Sequence, residues 1–391
     1  MSEPWRSAVI SLSFLVSILF YILRIFRIKP YKIVISNYNG KGYGDNAKYI
    51  VDYLLKHNNV FDIVWLSNNK KNSLPNVVRS VYYHSFQSIY ELVTAHFWID
   101  NRRKPYYVRK RNGQFYIMTW HSNIALKKVE RDVKDSLSSI YVKAAQNDSK
   151  MIDFFLSGSR WETNCIKRAF WYEGKVLDIG YPRQDIFVQN DTEKQIIIKG
   201  IKSLLGINQG TKILLYAPTF RKAQNYSTLS NYKLEWNNVL NAMSNKFGGE
   251  WVGLIRLHPN VSQLAENLII PQGVIDVSSY NDMQELILAT DCLITDYSST
   301  IIEAGIANKI GFIFALDYID YKKDRDVYFD LKDDLPFPFA DSNKGLIDAI
   351  MNFDISKYYQ DLSYFLYTKY GVICNGTASE QVAMLMKKII Q

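Results

Sequence analysis

Short runs of β-branched and aromatic residues alternate with helical stretches along nearly the whole chain, and this alternation restricts the possible folds more than any other feature. After Pro30 the order is KIVISN (32–37), a helical 44–57, FDIVWLS (61–67), VVRSVYY (77–83) and HFWID (96–100). Strand, helix, strand predicts a parallel sheet, because each crossover carries the chain back to the same end. The segment 106–119, YYVRKRNGQFYIMT, alternates around Asn112-Gly113 and predicts a hairpin. IDFFLSGSRWETNCIKRAF (152–170) predicts a strand that enters Ser157-Gly158-Ser159 and then a helix with Trp161, Cys165, Ile166 and Ala169 on its apolar face. A first layer closes near Gly180-Tyr181-Pro182.

The polar turn GINQGT (206–211) restarts the pattern with KILLYAPTF (212–220), a helical 233–246, EWVGLIRLHP (250–259) and GVIDVS (273–278). A helical 281–289, DCLITD (291–296), a helical 298–307 and KIGFIFAL (309–316) follow. The expectation is two doubly wound α/β halves, residues 30–205 and 206–391, behind an N-terminal segment 1–29. Ligands of such sheets bind at the carboxyl ends of the strands, and a cleft between two halves is the natural site.

Composition narrows the function classes. With 48% hydrophobic residues, 19 Gly and 10 Pro in 391 residues, the chain is neither disordered nor collagen-like. A net charge of +9 favours anionic partners: nucleic acid, acidic lipid surfaces or phosphorylated substrates. Cys165, Cys292 and Cys374 fit neither a disulfide framework nor a zinc spacing, which predicts reduced thiols in a cytoplasmic setting.

Residues 7–23, SAVISLSFLVSILFYIL, carry no charge and read as apolar on every side. As a helix they span about 25 Å, slightly short of a hydrocarbon core of roughly 30 Å. Arg24, Arg27, Lys29 and Lys32 follow, against the single Arg6 before, so the positive-inside rule keeps the following domain on the cytoplasmic face. The segment is expected to associate with the membrane by crossing it or by lying at its inner face; a buried N-terminal helix is the alternative.

Several motifs carry possible chemistry. Asn39-Gly40-Lys41-Gly42-Tyr43-Gly44-Asp45-Asn46 follows the first strand and opens a helix, but as a dinucleotide fingerprint it fails at the third glycine, where Asp45 stands. A flexible turn with Asp45 or Asn46 capping the helix is the plain reading. His121 ends Thr119-Trp120-His121 at a strand tip, and His258 stands just past another strand in Arg256-Leu257-His258-Pro259. Each alone is explained as a structural histidine. As a pair with Arg256 they suit proton transfer and phosphoryl stabilisation. Thr295-Asp296-Tyr297-Ser298-Ser299-Thr300 lies between a strand and a helix, where hydroxyls and amide N–H groups suit phosphate or simply cap the helix, and Glu303 follows one turn on. The basic run from Arg102 to Arg111 with Tyr106 and Tyr107 would suit a single-stranded nucleic acid, but an anionic membrane accounts for its charge, and no nucleic-acid partner is expected.

Taken in order, YGDNAKYI (43–50), TWH with Leu126-Lys127-Lys128, FLSGSRWETNCIKRAF (155–170), GYPRQD (180–185), YAPTFR (216–221), RLHP (256–259) and DVSSYNDMQELILATDCLITDYSSTIIE (276–303) resemble the CDP-glycerol glycerophosphotransferases, the teichoic acid primases and polymerases. The resemblance covers roughly 32–390. It departs after the first histidine, where the family's WHG-T-P-L-K-K is replaced in its middle by Ser122, Asn123, Ile124 and Ala125, which bears on the acceptor. It implies a GT-B-like fold of two Rossmann-like domains facing a cleft. It also implies transfer of glycerol phosphate from CDP-glycerol to a lipid-linked saccharide or growing chain, with release of CMP at the cytoplasmic membrane face. His121 then looks like the base on the acceptor hydroxyl, and His258, the second catalytic histidine, would hold the donor diphosphate with Arg256. Arg256, Asp296, Ser298, Ser299 and Glu303 would hold the donor, and Gly42, Asp45, Asn46 and Lys127 the acceptor. No metal ligand set is implied; a Mg2+ requirement and a homo-oligomer stay compatible. The short chain reads as primase-like. A ribitol-phosphate transferase, a nucleotide-sugar glycosyltransferase and a non-catalytic polymer-binding protein are the alternatives.

Overall fold

The computed structural model describes residues 3–57, 60–68, 74–219, 233–257, 271, 273–324 and 326–391, with side chains left out for 3–12 and 322–324. His258, one of the two candidate catalytic histidines, lies outside the described residues, as does Arg221 of the YAPTFR motif.

Among the described residues the chain forms two compact units. The first comprises residues 1–121, 129–185 and 373–391, and the second residues 122–128 and 186–372. The first holds a seven-stranded sheet in the order β3-β2-β1-β4-β5-β6-β7. Its strands are β1 (Lys29–Ser36), β2 (Asp62–Ser67), β3 (Arg79–Tyr82), β4 (Ala95–Asp100), β5 (Phe115–Met118), β6 (Phe154–Leu156) and β7 (Lys175–Leu177). All pairs are parallel, with Ile33 opposite both Ile63 and Phe97. Continuous apolar runs such as Ile33-Val34-Ile35 become strands buried on both faces, because helices cover a parallel sheet on each side. The helix Asp45–Lys56 buries Ala47, Ile50, Val51 and Leu54, and Ala378–Ile390 packs on it through Val382, Ala383 and Met386.

The return of the chain at residue 373 depends on Gly180. Its φ is +88°, and a Cβ there would stand 2.7 Å from the Ile373 carbonyl oxygen, so only glycine admits that approach. The carboxylate of Asp185 then accepts the amides of Ala378 and Ser379 at the start of the last helix.

The second unit holds a six-stranded sheet in the order β10-β9-β8-β11-β12-β13. These are β8 (Lys212–Tyr216), β9 (Trp251–Ile255), β10 (Val274–Asp276), β11 (Cys292–Thr295), β12 (Ile310–Phe314) and β13 (Phe339–Ala340), again parallel throughout. The helix Asp191–Leu204, placed before the expected boundary at 205, belongs to this unit and packs on Met283–Ala289.

One local expectation is corrected. The hairpin around Asn112-Gly113 does not form: only Phe115–Met118 is a strand, and it pairs in parallel with β4 and β6. The apolar alternation there serves burial between two neighbours, and Asn112-Gly113 turns the chain without pairing its arms. The N-terminal segment forms a helix, Glu3–Ile22, and a 3-10 turn, Leu23–Ile25, but it is not apolar to its surroundings on every side. Phe20 and Leu23 are buried, Ser17 Oγ donates to the Tyr107 carbonyl and Arg24 to that of Lys110. Among the described residues no helix is long and apolar enough to cross a membrane.

Candidate active site

Sheet order, not chain order, builds the first constellation. β1, β4 and β5 are neighbours, so the residues after each strand gather at one edge: Asn37 to Gly40, Asn101 and Arg102, and Thr119 to His121. The backbone is strained there. Tyr38 (φ +43°), Asn39 (+58°), Asp45 (+56°) and Trp120 (+53°) all occupy the left-handed region, which costs of order 1–3 kcal/mol each in a non-glycine residue and clusters at functional sites. Gly42 (φ +66°) occupies the same region without that cost.

The strain at Trp120 is held by Asn46. Its buried side-chain amide donates to the Thr119 and Trp120 carbonyls at 3.3 and 3.1 Å, and its oxygen accepts the Arg183 amide at 3.1 Å. The Trp120 ring packs edge-on against Phe170, with centroids 4.8 Å apart. Behind it the buried Arg103 pairs with Glu130 and Asp148, both at 3.2 Å, and donates to the Phe170 carbonyl at 3.0 Å.

His121 follows, half-buried. Its Nδ1 lies 2.8 Å from the Asn101 carbonyl oxygen. A carbonyl only accepts, so Nδ1 carries the proton and Nε2 the lone pair. The Tyr38 ring meets the imidazole edge-on at 5.6 Å, and its hydroxyl donates to the His121 carbonyl at 3.2 Å. Burial first, then the positive charge of Arg102, push the imidazole down to about 4, against the opposing bond to Asn101. At neutral pH it is an uncharged base.

The buried Asp45 accepts from Asn101, Arg183 and its neighbour's amide. Asp45 and Asn46 therefore stand behind the histidine loop, with their polar atoms engaged by protein. Lys127 belongs to the second unit with the rest of Ser122–Lys128, where it bridges to Val327 and stands over the Tyr321 ring.

The second constellation lies at the carboxyl ends of β8, β9, β10 and β11. Arg256 donates to the Tyr280 carbonyl at 2.6 Å. Asp296 is buried, and its Oδ1 accepts the amides of Thr219 and Tyr297 at 2.8 and 2.6 Å, joining the loops after β8 and β11. Ser298 Oγ accepts from the Thr300 amide and hydroxyl, and Ser299 occupies the N-cap position of Thr300–Ile306 without a side-chain cap bond. Glu303 is buried and accepts from Gln284 Nε2 at 2.7 Å. Among the described residues no group of three or more His, Cys, Asp or Glu is placed to hold a metal ion.

Sequence reasoning overlooked Asn37, Tyr38, Asn101 and Arg183. The available signal for one of them was Asp100-Asn101 at the end of an apolar strand, two polar residues where the chain leaves the core.

Two open parallel α/β sheets, each collecting polar side chains at its carboxyl edge, define a GT-B-like protein. The fold similarity extends to the UDP-GlcNAc 2-epimerase of Methanocaldococcus jannaschii, with a TM-score of 0.53 at 11% identity over 91% of this chain and 99% of that one. Residues 18–388 match the family described as CDP-Glycerol:Poly(glycerophosphate) glycerophosphotransferase, and the chain belongs to that family. It is 32% identical over 373 residues to the teichoic acid poly(glycerol phosphate) polymerase of Staphylococcus epidermidis, covering 93% of this chain and 51% of that protein. It thus spans about half the length of this relative, and 48% of that of the corresponding polymerase of Bacillus subtilis. Against the Bacillus spizizenii polymerase it is 28% identical, covering 95% and 96% of the two chains. The solved wall teichoic acid polymerase TagF, as a histidine-to-alanine variant, superposes with a TM-score of 0.85 at 30% identity over 98% of this chain and 96% of that one.

Proposed function

We propose that this protein transfers glycerol phosphate from CDP-glycerol to a hydroxyl of a lipid-linked saccharide or a growing polyol-phosphate chain. The acceptor oxygen attacks the phosphorus that bears glycerol, the bond from that phosphorus to CMP breaks, CMP leaves, and the acceptor proton passes to His121 Nε2. The observation that carries this reading is His121, a strand-tip imidazole with Nδ1 tied to a carbonyl and its Nε2 lone pair retained. Its depressed basicity suits the task. An anionic diphosphate nearby raises an imidazole's affinity for a proton, so the base strengthens when substrate binds. Support also comes from the relatives: a histidine-to-asparagine variant of TagF was solved after soaking with CDPG.

In the same reading Arg256, His258, Ser298 and Ser299 hold the diphosphate, and Asp296 fixes their loop. Glu303, oriented by Gln284, accepts from the ribose. Gly42 and Lys127 serve the acceptor, while Asp45 and Asn46 act through the loop they hold. Phosphoryl transfer depends chiefly on positioning and charge neutralisation, which such a set supplies. Relatives of similar length include proteins named polymerase and transferase, so the claim here is the transfer step, and product length is what the assay measures.

CMP release is measured with CDP-glycerol, CDP-ribitol and UDP-sugars over a lipid-linked acceptor. The expected result is CMP with CDP-glycerol and a new phosphodiester. Preference for CDP-ribitol would replace the polyol, consistent with ribitol-phosphate relatives at 27–29% identity. Turnover of a UDP-sugar instead, or binding without turnover on every acceptor, would overturn the reading.

The N-terminal helix supports a place on the cytoplasmic membrane surface. With Phe20 and Leu23 turned into the protein, Phe14, Leu15, Ile18, Tyr21, Ile22 and Ile25 form one exposed stripe, with Phe14 66% and Ile25 78% exposed. A helix packed on one side and apolar on the other lies in the interface plane, and Arg27 and Lys29 favour anionic headgroups. Replacing Phe14, Ile18 and Ile25 together by Ser is expected to reduce cosedimentation with anionic vesicles at least tenfold, leaving turnover on a water-soluble acceptor near wild type. Undiminished cosedimentation would remove this face as the attachment.

A further inference from the structure

Asn101 is fully buried at the end of β4, and every polar group it has is engaged. Its amide N–H donates to Asp100 Oδ1 at 2.8 Å. Its Nδ2 donates to Asn37 Oδ1 at 2.7 Å and Asp45 Oδ2 at 3.2 Å, and its Oδ1 accepts the strained Tyr38 amide at 2.8 Å. Its carbonyl receives His121 Nδ1 at 2.8 Å. Asp100 is itself fixed, accepting the Arg102 amide at 3.0 Å and Lys104 Nζ at 2.5 Å. One residue thus joins the loop after β1, the start of the helix Asp45–Lys56 and the tip of β5.

We propose that Asn101 is the positioning residue of the reaction: its side chain locks the peptide whose carbonyl selects the Nδ1–H tautomer of His121 and aims Nε2 at the acceptor. This rests on His121 being the base. The reasoning is geometric. A backbone carbonyl holds an imidazole only as firmly as its own peptide is held, and a buried side-chain amide can make these three bonds in a single rotamer. Asn fits where Asp does not, because a carboxylate would face Asp45 Oδ2 and Asn37 Oδ1 without a proton to offer either. Charged groups around the imidazole are Arg102 and Arg183, which disfavour its protonation, and Asp45, which favours it.

The test is nitrogen NMR of the histidine rings in the substrate-free protein, for wild type, Asn101→Ala and Asn37→Ala, beside transfer kinetics. Wild type is expected to show one Nδ1–H tautomer that titrates well below the ordinary imidazole range. Asn101→Ala should give mixed tautomers and, because the space it leaves admits water and relieves the burial that chiefly depresses the imidazole, a titration moved upward, with kcat lowered on the order of 10²-fold and the donor KM within about twofold. The acid limb of its pH–rate profile should move up in step. A His121 signal unchanged in tautomer and titration would overturn the proposal, whatever the kinetics. Should Asn101→Ala not fold, Asn37→Ala decides by the same spectra, since it removes one acceptor only: a partly mixed tautomer supports the proposal and a pure one overturns it. Because the spectra need no substrate, they separate this proposal from the transfer reading. Shifted tautomers with unaffected turnover would overturn Asn101 as a positioning residue of the reaction and His121 as its base, while CMP release by the wild type would still uphold the transfer reading.

Discussion

Replacing His121 by Ala is expected to lower kcat for CMP release by about 10²- to 10⁴-fold, the usual worth of a positioned general base, with donor affinity nearly retained. The split matters. In the structure the imidazole contacts Tyr38, Trp120 and Asn101, all within the first unit, while the residues proposed for the donor lie in the second. Loss of kcat with unchanged donor KM therefore follows from the base role, and donor binding by isothermal titration checks it. Turnover within about threefold of wild type would remove His121 from the chemistry. His121→Asn is the companion variant: it keeps a donor toward the Asn101 carbonyl while losing the lone pair of Nε2, so the loop should stay ordered and activity should still fall. Activity restored by Asn would show that orientation of the loop, not proton transfer, was the lost function.

The second large effect is on stability. Arg103→Met is expected to destabilise the first unit by about 3–5 kcal/mol at pH 8, because it leaves two carboxylates, Glu130 and Asp148, buried without their cation. Denaturant unfolding followed by tryptophan fluorescence measures it. A pH signature accompanies the loss. Burial raises the Asp148 carboxyl from 3.8 to about 6, against the opposing charge of Arg103, and its Oδ1 is buried without a hydrogen-bond partner among the described residues. A carboxyl raised in the folded state binds protons more tightly folded than unfolded. Its contribution is full below about 3.8 and is lost as pH rises through about 6. Without Arg103 this dependence steepens, so the variant should be closer to wild type at pH 5 than at pH 8. An equal deficit at both pH values would mean that the cost is lost packing against Trp120 and Phe170 rather than uncompensated charge.

What sequence reading missed or left open shares a cause. Asn112-Gly113 carries the strongest short-range hairpin signal, yet β5 pairs with β4 and β6, because the apolar residues of FYIM gain more from burial between two parallel neighbours than from a two-stranded ribbon. The apolar N-terminal run said nothing about which side meets protein; the bonds from Ser17 and Arg24 to the segment near residues 107–110 decide that. Lys127 stands close to His121 in the chain but in the other unit, since no local signal marks where a chain passes from one compact body to another.

What the residues determined alone is the period: apolar runs of strand length between amphipathic helices permit little except parallel sheets, and polar motifs directly after such runs must emerge at the carboxyl edges. His121, Arg256 and the Asp296–Thr300 segment were legible for that reason. Only tertiary structure decided what surrounds His121. Asn37 and Asp45, Asn101, and Arg183 come from three separate stretches and meet because β1, β4 and β5 lie side by side although β2 and β3 intervene between the first two in the chain. The tautomer and weakened basicity of the imidazole arise from desolvation and from hydrogen bonds across that juxtaposition, quantities that depend on distance in space and have no counterpart along the chain.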